Sequence, residues 1–467
     1  MKSFIKTIGV FTGAILLMIS CDDQLDQAPI GFLSDENTFE TLENLQQGLN
    51  GAYARATMQE HNIRFDIITD EVKIGAESGG QSVDFYNFNL NSQSREADSL
   101  WRASYALINQ VNRVLDGVET VELQDGQEAA LRNIRGQLFG LRAYAHWELL
   151  QWFATSYTDG AALAVPYVDF VVTIEELPRN TVSEVLAGIE NDLSMARDLV
   201  AASNGVEFVN PDMLTALEAR IKLYTGEYAQ AGALAGSLIQ KYPLADRDAY
   251  TAMFGDTDNT EVIFKLRRTA ADFAIGEIWY FNVGGGPFPF LEMSNGLFDR
   301  LDPDDVRYDV NFWAEVSAPA DNSHLIGKYR NPGFVNDLKV FRVSEMYLIQ
   351  AEAAARQGNL TDAAQTLKQL RDARFGSDTT PESFSSPEEA VVAILDERRI
   401  ELAFEGHRYL DIRRTRELTG TGINRDPRDC QVQNCELPVS DYRFNPPVPL
   451  AELVGNDNME QNPGYGS

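Results

Sequence analysis

Two stretches of the chain combine aromatic rings with hydrogen-bonding side chains at spacings that no regular helix uses. In 62–94, Asp70 precedes the run Phe85-Tyr86-Asn87-Phe88, and Gly75, Gly79 and Gly80 interrupt any helical pattern. In the second stretch, Trp279-Tyr280-Phe281 is followed by Gly284-Gly285-Gly286-Pro287-Phe288-Pro289-Phe290. A neutral sugar offers apolar C–H faces and many hydroxyls. Rings cover the faces, and Asp, Asn and Arg side chains bond the hydroxyls. The pattern therefore predicts Phe85, Tyr86, Trp279, Tyr280, Phe288 and Phe290 as platforms, with Asp70 and Asn87 as hydrogen-bonders. The competing reading of each ring is that it fills core beneath its loop.

Other chemistries lack their residues. The four histidines, His61, His146, His324 and His407, form no HExxH pair, and CxxC, GxSxG and P-loop motifs do not occur. Gly284-Gly285-Gly286 has no following Lys and reads as a flexible turn. Asp302, Asp304, Asp305 and Asp309 lack the Gly and Glu of an EF-hand loop and read as a solvated acidic turn. The sequence calls for no metal, no cofactor and no catalytic residue. A carboxylate pair for glycoside hydrolysis cannot be singled out among 70 acidic residues, so a helical glycoside hydrolase stands as one alternative. Asp396–Glu417 holds six Arg and six Asp or Glu; at helical spacing, Glu397, Glu401 and Glu405 can face Arg partners in a structural salt-bridge lattice. Cys430 and Cys435 flank a short loop and are either a local disulfide or two free thiols.

The chain has 467 residues, of which 39 are Lys or Arg and 70 are Asp or Glu, for a net charge of −31. With 44 % hydrophobic residues it has material for a large core, which excludes disorder as the main state. The acidic balance, with no offsetting basic stripe, argues against nucleic acid as a partner.

The elements that must hold the two loops are helical. Apolar residues recur at helical spacing over Thr38–Glu60, Arg95–Val118 and Gln127–Tyr157. Thr181-Val182-Ser183-Glu184 forms a capping box, opening a helix with Val185, Leu186, Ile189 and Leu193 on one face. Ala219, Gly226, Ala231 and Ala235 repeat at the same offsets as Ala351, Gly358, Ala363 and Leu367, the spacing of a tetratricopeptide helix–turn–helix. The alternative is two unrelated hairpins. Between them, residues 250–340 change character, with a short strand predicted at Glu261–Leu266.

The N-terminus is a targeting segment. Lys2 and Lys6 precede the uncharged run Ile8–Ile19, too short to span a bilayer. Ser20-Cys21-Asp22-Asp23 then looks like a bacterial lipoprotein site, with Cys21 lipidated; the alternative is an ordinary signal peptide cut nearby. This divides the chain into a signal peptide (1–20), a flexible tether (21–36), an N-terminal helical part (37–249), an irregular insertion (250–340) and a C-terminal part (341–467) forming one compact unit.

Three C-terminal motifs carry a family resemblance: Phe341-Arg342-Val343-Ser344-Glu345-Met346-Tyr347-Leu348-Ile349-Gln350-Ala351-Glu352-Ala353, then Glu397–Arg414, then Gln461-Asn462-Pro463-Gly464-Tyr465. With Trp101-Arg102-Ala103-Ser104-Tyr105 and Arg142-Ala143-Tyr144-Ala145-His146 upstream, the chain resembles the SusD/RagB family of Bacteroidetes outer-membrane lipoproteins. The resemblance implies a mainly α fold of tetratricopeptide-like hairpins with a loop-rich insertion and short strands. It also implies non-catalytic binding of an oligosaccharide or other nutrient at the cell surface, with delivery to a SusC-like TonB-dependent transporter. Ligand sites in the family lie in variable loops, which map here to 62–94 and 272–295. A tetratricopeptide adaptor that binds only protein is the remaining alternative.

Overall fold

The computed structural model describes residues 38–282, 287–314 and 324–466. The expected signal peptide, the tether with Cys21, and the Gly284–Gly286 turn lie outside the described residues.

The first expected helix is divided in two. α1 (Leu42–Arg55) starts at an N-cap where Thr41 accepts from the Asn44 amide, and α2 (Met58–Arg64) follows. The break falls at Ala56, whose carbonyl accepts a 2.7 Å hydrogen bond from Arg268 Nη2 instead of continuing the helix. β1 (Val72–Ile74) and a single helical turn at Val83–Tyr86 occupy the region expected as a long loop. Then come the two long helices, α3 (Arg95–Val118) and α4 (Glu128–Phe153), and α5 (Val182–Leu199). α5 opens on the predicted capping box, with Thr181 and Glu184 each bonding the other's backbone. α4 packs against both α3 and α5. A buried ion pair fixes α4 to α5, with Arg142 Nε and Nη2 reaching Asp192 at 2.9 and 2.6 Å.

Two hairpins follow. α6 (Pro211–Tyr224) has Asn210 as N-cap and Pro at its first turn, and returns as α7 (Tyr228–Ile239). After α8 (Arg247–Phe254), β2 (Val262–Leu266), β3 (Tyr280–Asn282), β4 (Pro287–Pro289), β5 (Leu291–Met293), α9 (Val306–Asn311) and β6 (Leu338–Arg342) come the second pair, α10 (Val343–Arg356) and α11 (Leu360–Phe375). The turn glycines of both pairs, Gly226 and Gly358, hold φ of +83° and +81°, backbone that other residues adopt only with strain. The repeated Ala219, Ala231, Ala235, Ala351, Ala363 and Leu367 are all buried. The two hairpins, far apart in sequence, pack side by side through α7 and α10. Close approach is possible because Gly232 faces Ala353, where an added Cβ would sit 3.3 Å from the alanine methyl. Arg220 of α6 forks onto Glu345 of α10 at 2.8 and 2.7 Å, both side chains buried.

The insertion returns to this frame. β2 pairs antiparallel with β6, which runs straight into α10, so the predicted strand is tied to the second hairpin. β1 pairs with β5, and β3 with β4. α12 (Pro387–Glu401), α13 (Arg408–Thr419), β7 (Ile423–Asn424), β8 (Glu436–Leu437) and α14 (Leu450–Gly455) complete the chain. The main apolar core draws on residues from Phe39 to Met459; a second cluster joins α10, α11 and α12 through Leu348, Leu367 and Ile394, and a third joins α8 and α9 through Tyr250, Met253 and Val306.

The charged stretch over α12 and α13 forms a lattice, but its main partners are distant and buried rather than local and solvated. Glu401 Oε1 accepts from Arg342 Nη1 at 2.8 Å and Arg374 Nη2 at 3.0 Å, and Oε2 accepts from Arg374 Nε at 2.9 Å. Glu405 binds Arg342 and Lys328, each at 2.8 or 2.7 Å, and Glu397 binds Arg307 at 2.5 Å. Glu261, at the start of β2, pairs with Arg374 at 2.8 Å. Burial pushes the Glu401 carboxyl up, but the Arg374 and Arg342 charges together hold it well below the usual carboxylate range. Local pairs are a minor part: Arg414 with Asp411 at 2.8 Å is one. The acidic turn also departs from a wholly solvated one, because Asp305 is buried, caps α9 and pairs with Arg307 at 2.5 Å.

Removing one member of such a network strands the rest without a counter-charge. Glu401→Gln should cost about 3–5 kcal/mol of stability, read by urea denaturation at neutral pH; a loss below about 1 kcal/mol would show that the arginines find other partners.

Candidate functional site

An open hollow of about 710 Å³ lies beside the Val83–Tyr86 turn. Its lining is dominated by amides and other polar groups: Asp84, Asn89, Asn91, Gln93, Ser94 and Arg443, with Tyr442 and the edges of Phe85 and Phe88 as the aromatic part. A second hollow of about 520 Å³ adjoins it across the shared wall residues Ser82 and Glu96, and the two together are called the groove. The second part is more charged, with His61, Arg64, Arg95 and Glu277, and Phe290 lies in its wall. Burial, then the charges of Arg64 and Arg95, lower His61 to about 4, so its imidazole is neutral at physiological pH.

The groove wall is held from behind by the C-terminal segment. The Arg425 guanidinium lies 3.5 Å from the Tyr86 ring centroid and 4.3 Å from that of Phe88, and it donates to the Ile68, Thr69 and Asn434 carbonyls. Cys430 and Cys435 are joined in a disulfide. The loop they close is stitched to the turn through Asn87, whose Oδ1 accepts from the Asn434 amide at 2.8 Å and whose Nδ2 donates to Gln433. Arg443 Nη1 donates to the Phe88 carbonyl at 2.9 Å and its fork grips Asp441, which positions Tyr442 at the rim.

Of the predicted contact residues, the structure brings few to the groove. Tyr86 is fully buried and its hydroxyl donates to the Asp429 carbonyl at 3.2 Å. Trp279 is 0 % exposed and meets Phe404 edge-on at 5.8 Å. Tyr280 is buried against Phe334 and donates to the Ile326 carbonyl. Trp279 and Tyr280 are core because β3 pairs with β4 and the preceding turn sets Trp279 against the loop after α12, and Tyr86 is core because Arg425 covers its ring. Asp70 is also internal: Arg408 forks onto it at 2.8 and 2.9 Å, and Arg399 lies at 3.3 Å. Burial raises its carboxyl, but those two arginines outweigh burial and hold it below the usual range. Asn87 spends its amide on the disulfide loop. Phe85 and Phe290 reach the groove only by the small part left uncovered, and Phe288 is 41 % exposed on the β3–β4 hairpin but does not line the groove.

Sequence reasoning missed the best-placed ring. Tyr442 is 43 % exposed and stands edge-on to Tyr465 at 4.8 Å. Room for the ring is made by Gly464, at φ +97°, where an added Cβ would run into the Tyr442 ring. It also missed the amide cluster Asn89, Asn91 and Gln93, which reads as an ordinary polar loop.

Comparison with known proteins places this architecture. A model of the SusD family matches residues 327–465, and a model described as "Starch-binding associating with outer membrane" matches residues 24–213. SusD-like protein P2 of Formosa agariphila is 25 % identical over 530 aligned residues, covering 97 % of this chain and 99 % of that protein. The starch-binding protein SusD of Bacteroides thetaiotaomicron is 30 % identical over 129 residues, 28 % of this chain and 22 % of that one. Among solved structures, a SusD superfamily protein from Bacteroides thetaiotaomicron superposes with a TM-score of 0.79 at 23 % identity, covering 91 % of this chain and 100 % of that one.

Two carboxylates lie sealed behind the site. Glu71 Oε2 accepts from the Phe404 amide at 3.1 Å, and Asp66 Oδ2 from the Gly406 amide at 2.9 Å. Burial pushes Glu71 up to about 7, and burial with the neighbouring Glu71 charge lifts Asp66. A carboxyl raised in the folded state stabilises fully below its ordinary value of 4.5 and loses that contribution as pH rises through about 7. Wild-type stability should therefore fall relative to Glu71→Gln between pH 5 and pH 8 in urea titrations; parallel profiles would place the Glu71 proton elsewhere.

Proposed function

The chain belongs to the SusD/RagB family, and on that footing we propose that it is a non-catalytic glycan-binding protein of the outer-membrane surface, which passes its ligand to a SusC-like TonB-dependent transporter. The observation that carries the binding reading is the open groove itself. Its amides and hydroxyls offer many directional bonds, Tyr442 offers a ring face at the rim, and Phe85 and Phe290 offer apolar edges. That mix suits a polyhydroxylated ligand with C–H faces. The description of the family model over residues 24–213 and the starch-binding relative support the same ligand class and the same membrane. A binding role without bond cleavage is supported by where the lifted carboxyls lie: Glu71 and Asp66 do not line the groove.

On this reading the contact residues are other than most of those the loop aromatics suggested. Tyr442 stacks on a sugar ring, and Asn89, Asn91, Gln93 and Arg443 bond hydroxyls. Tyr442→Ala should remove roughly 1 kcal/mol or more of ring contact, a five- to tenfold weaker Kd for the best glycan of a calorimetric panel. Trp279→Ala should instead lower stability. Unchanged affinity in Tyr442→Ala and in Asn91→Ala together would remove the groove from the site. Incubating the protein with that glycan should yield no shorter products; turnover would favour the hydrolase reading.

Delivery to a transporter needs the protein at the membrane. Cys21, followed by Asp22-Asp23, is the proposed lipidation site, and among the described residues no helix is long and apolar enough to cross a bilayer. Several acyl chains together anchor firmly. Cys21→Ser should move the protein from the membrane to the soluble fraction and abolish co-purification of a barrel transporter; continued membrane fractionation would overturn the anchor.

A further inference from the structure

A separate hollow of about 270 Å³ opens where the C-terminal ends of α6 and α10 meet α13 and the loop after α4. Four arginines line it, Arg356, Arg413, Arg414 and Arg416, against one lining carboxylate, Glu417. In a chain of net charge −31 this is a local inversion.

The arginines are not neutralised alike. Arg414 forks onto Glu352 at 2.6 and 2.7 Å and also reaches Asp411 at 2.9 Å. Arg356 shares that same Glu352 through Nη2 at 3.2 Å. Arg413 donates to neutral acceptors: the carbonyls of Gln151, Trp152 and Ala154, the Tyr157 hydroxyl and the Asn445 amide oxygen. Arg416 likewise donates to the Val439 and Arg413 carbonyls, at 3.0 and 2.5 Å. Burial, then the Arg413 charge beside it, holds Arg416 below the usual guanidinium range.

Two buried donors in this wall have no partner among the described residues: Arg356 Nε and the Tyr224 hydroxyl. Tyr224 is 4 % exposed. Buried polar groups are nearly always bonded, so each orphan is costly unless something answers it. The guanidinium planes are already set by ring faces, Arg356 over Tyr228 at 5.3 Å, Arg414 over Tyr224 at 5.2 Å and Arg413 over Tyr157 at 4.7 Å. Fixed guanidinium forks are the groups that recognise planar or tetrahedral oxyanions.

We propose that this pocket is a second ligand site, which binds the carboxylate or sulfate group of an acidic sugar. The orphaned donors and Arg416, which bonds only carbonyls, meet the anionic oxygens, and the Thr155, Ser156 and Asn445 side chains stand around the sugar-sized remainder. The hollow is far larger than the ~30 Å³ share of one water, so it admits more than a bare ion. The inference rests on this arginine–tyrosine geometry and is independent of the neutral-glycan groove.

Binding is tested by calorimetry and thermal shift with sodium galacturonate, sodium sulfate and glucose, each against sodium chloride at matched ionic strength. Galacturonate or sulfate should raise Tm above the chloride control, and glucose should not. Affinity should drop about tenfold in Arg356→Gln and at least threefold in Tyr224→Phe, while both variants keep the groove's affinity for its best neutral glycan. A response to only one of the two anions keeps the site and names the carrier group. Shifts equal to those of chloride, or full affinity in Tyr224→Phe, would overturn it. Tyr224→Phe breaks no hydrogen bond of the structure, so it decides the matter even where Arg356→Gln fails to fold.

Discussion

The fold depends on a set of charges taken out of water. Glu401, Glu405, Glu397 and Glu261 meet Arg342, Arg374, Arg307 and Lys328 in the interior, where no solvent compensates a missing partner. The participants come from α9, the segment between α9 and β6, α11, α12, the loop after it, strand β6 and the residue that precedes β2. Each contributes a charge that only the others satisfy, so these elements must assemble in one register. Apolar packing is tolerant of small shifts. A forked guanidinium between two carboxylates is not. The insertion between the hairpins is therefore part of the frame, at its ends through β2 and β6 and in its middle through Arg307 and Lys328.

Much of this frame was legible in the sequence. Helical periodicity marked α3 and α4, the Thr181–Glu184 box marked the start of α5, and the small-residue repeat marked both hairpins. These are local signals, and the structure needs only local geometry to honour them. The stacking of the two hairpins was not legible, because it depends on α7 and α10 meeting across an insertion. The α1–α2 break was hidden for a similar reason: Ala56 yields its carbonyl to Arg268, more than two hundred residues away.

The site was harder to read than the fold. A loop ring looks the same in sequence whether it faces solvent or core. Tyr86 is claimed by Arg425, Trp279 by Phe404 and Asp70 by Arg408, all partners distant in the chain. Tyr442 stands alone between charged neighbours, and nothing near it in sequence suggests a platform; its position follows from Arg443 gripping Asp441 and from Gly464 making room for the ring. The expected loops, 62–94 and 272–295, both contribute to the groove lining, the first through Asp84 and Asn89 and the second through Glu277 and Phe290. What changes is which atoms carry it.

The disulfide between Cys430 and Cys435 closes a small loop whose neighbouring amides hold Asn87, and Asn87 belongs to the turn that walls the groove. The shape offered to a ligand is thus braced by a covalent link that forms only under oxidising conditions. With the link reduced, the Val83–Tyr86 turn is tied to this loop by hydrogen bonds alone, so the redox state of one cysteine pair sets how firmly one wall of the groove is fixed.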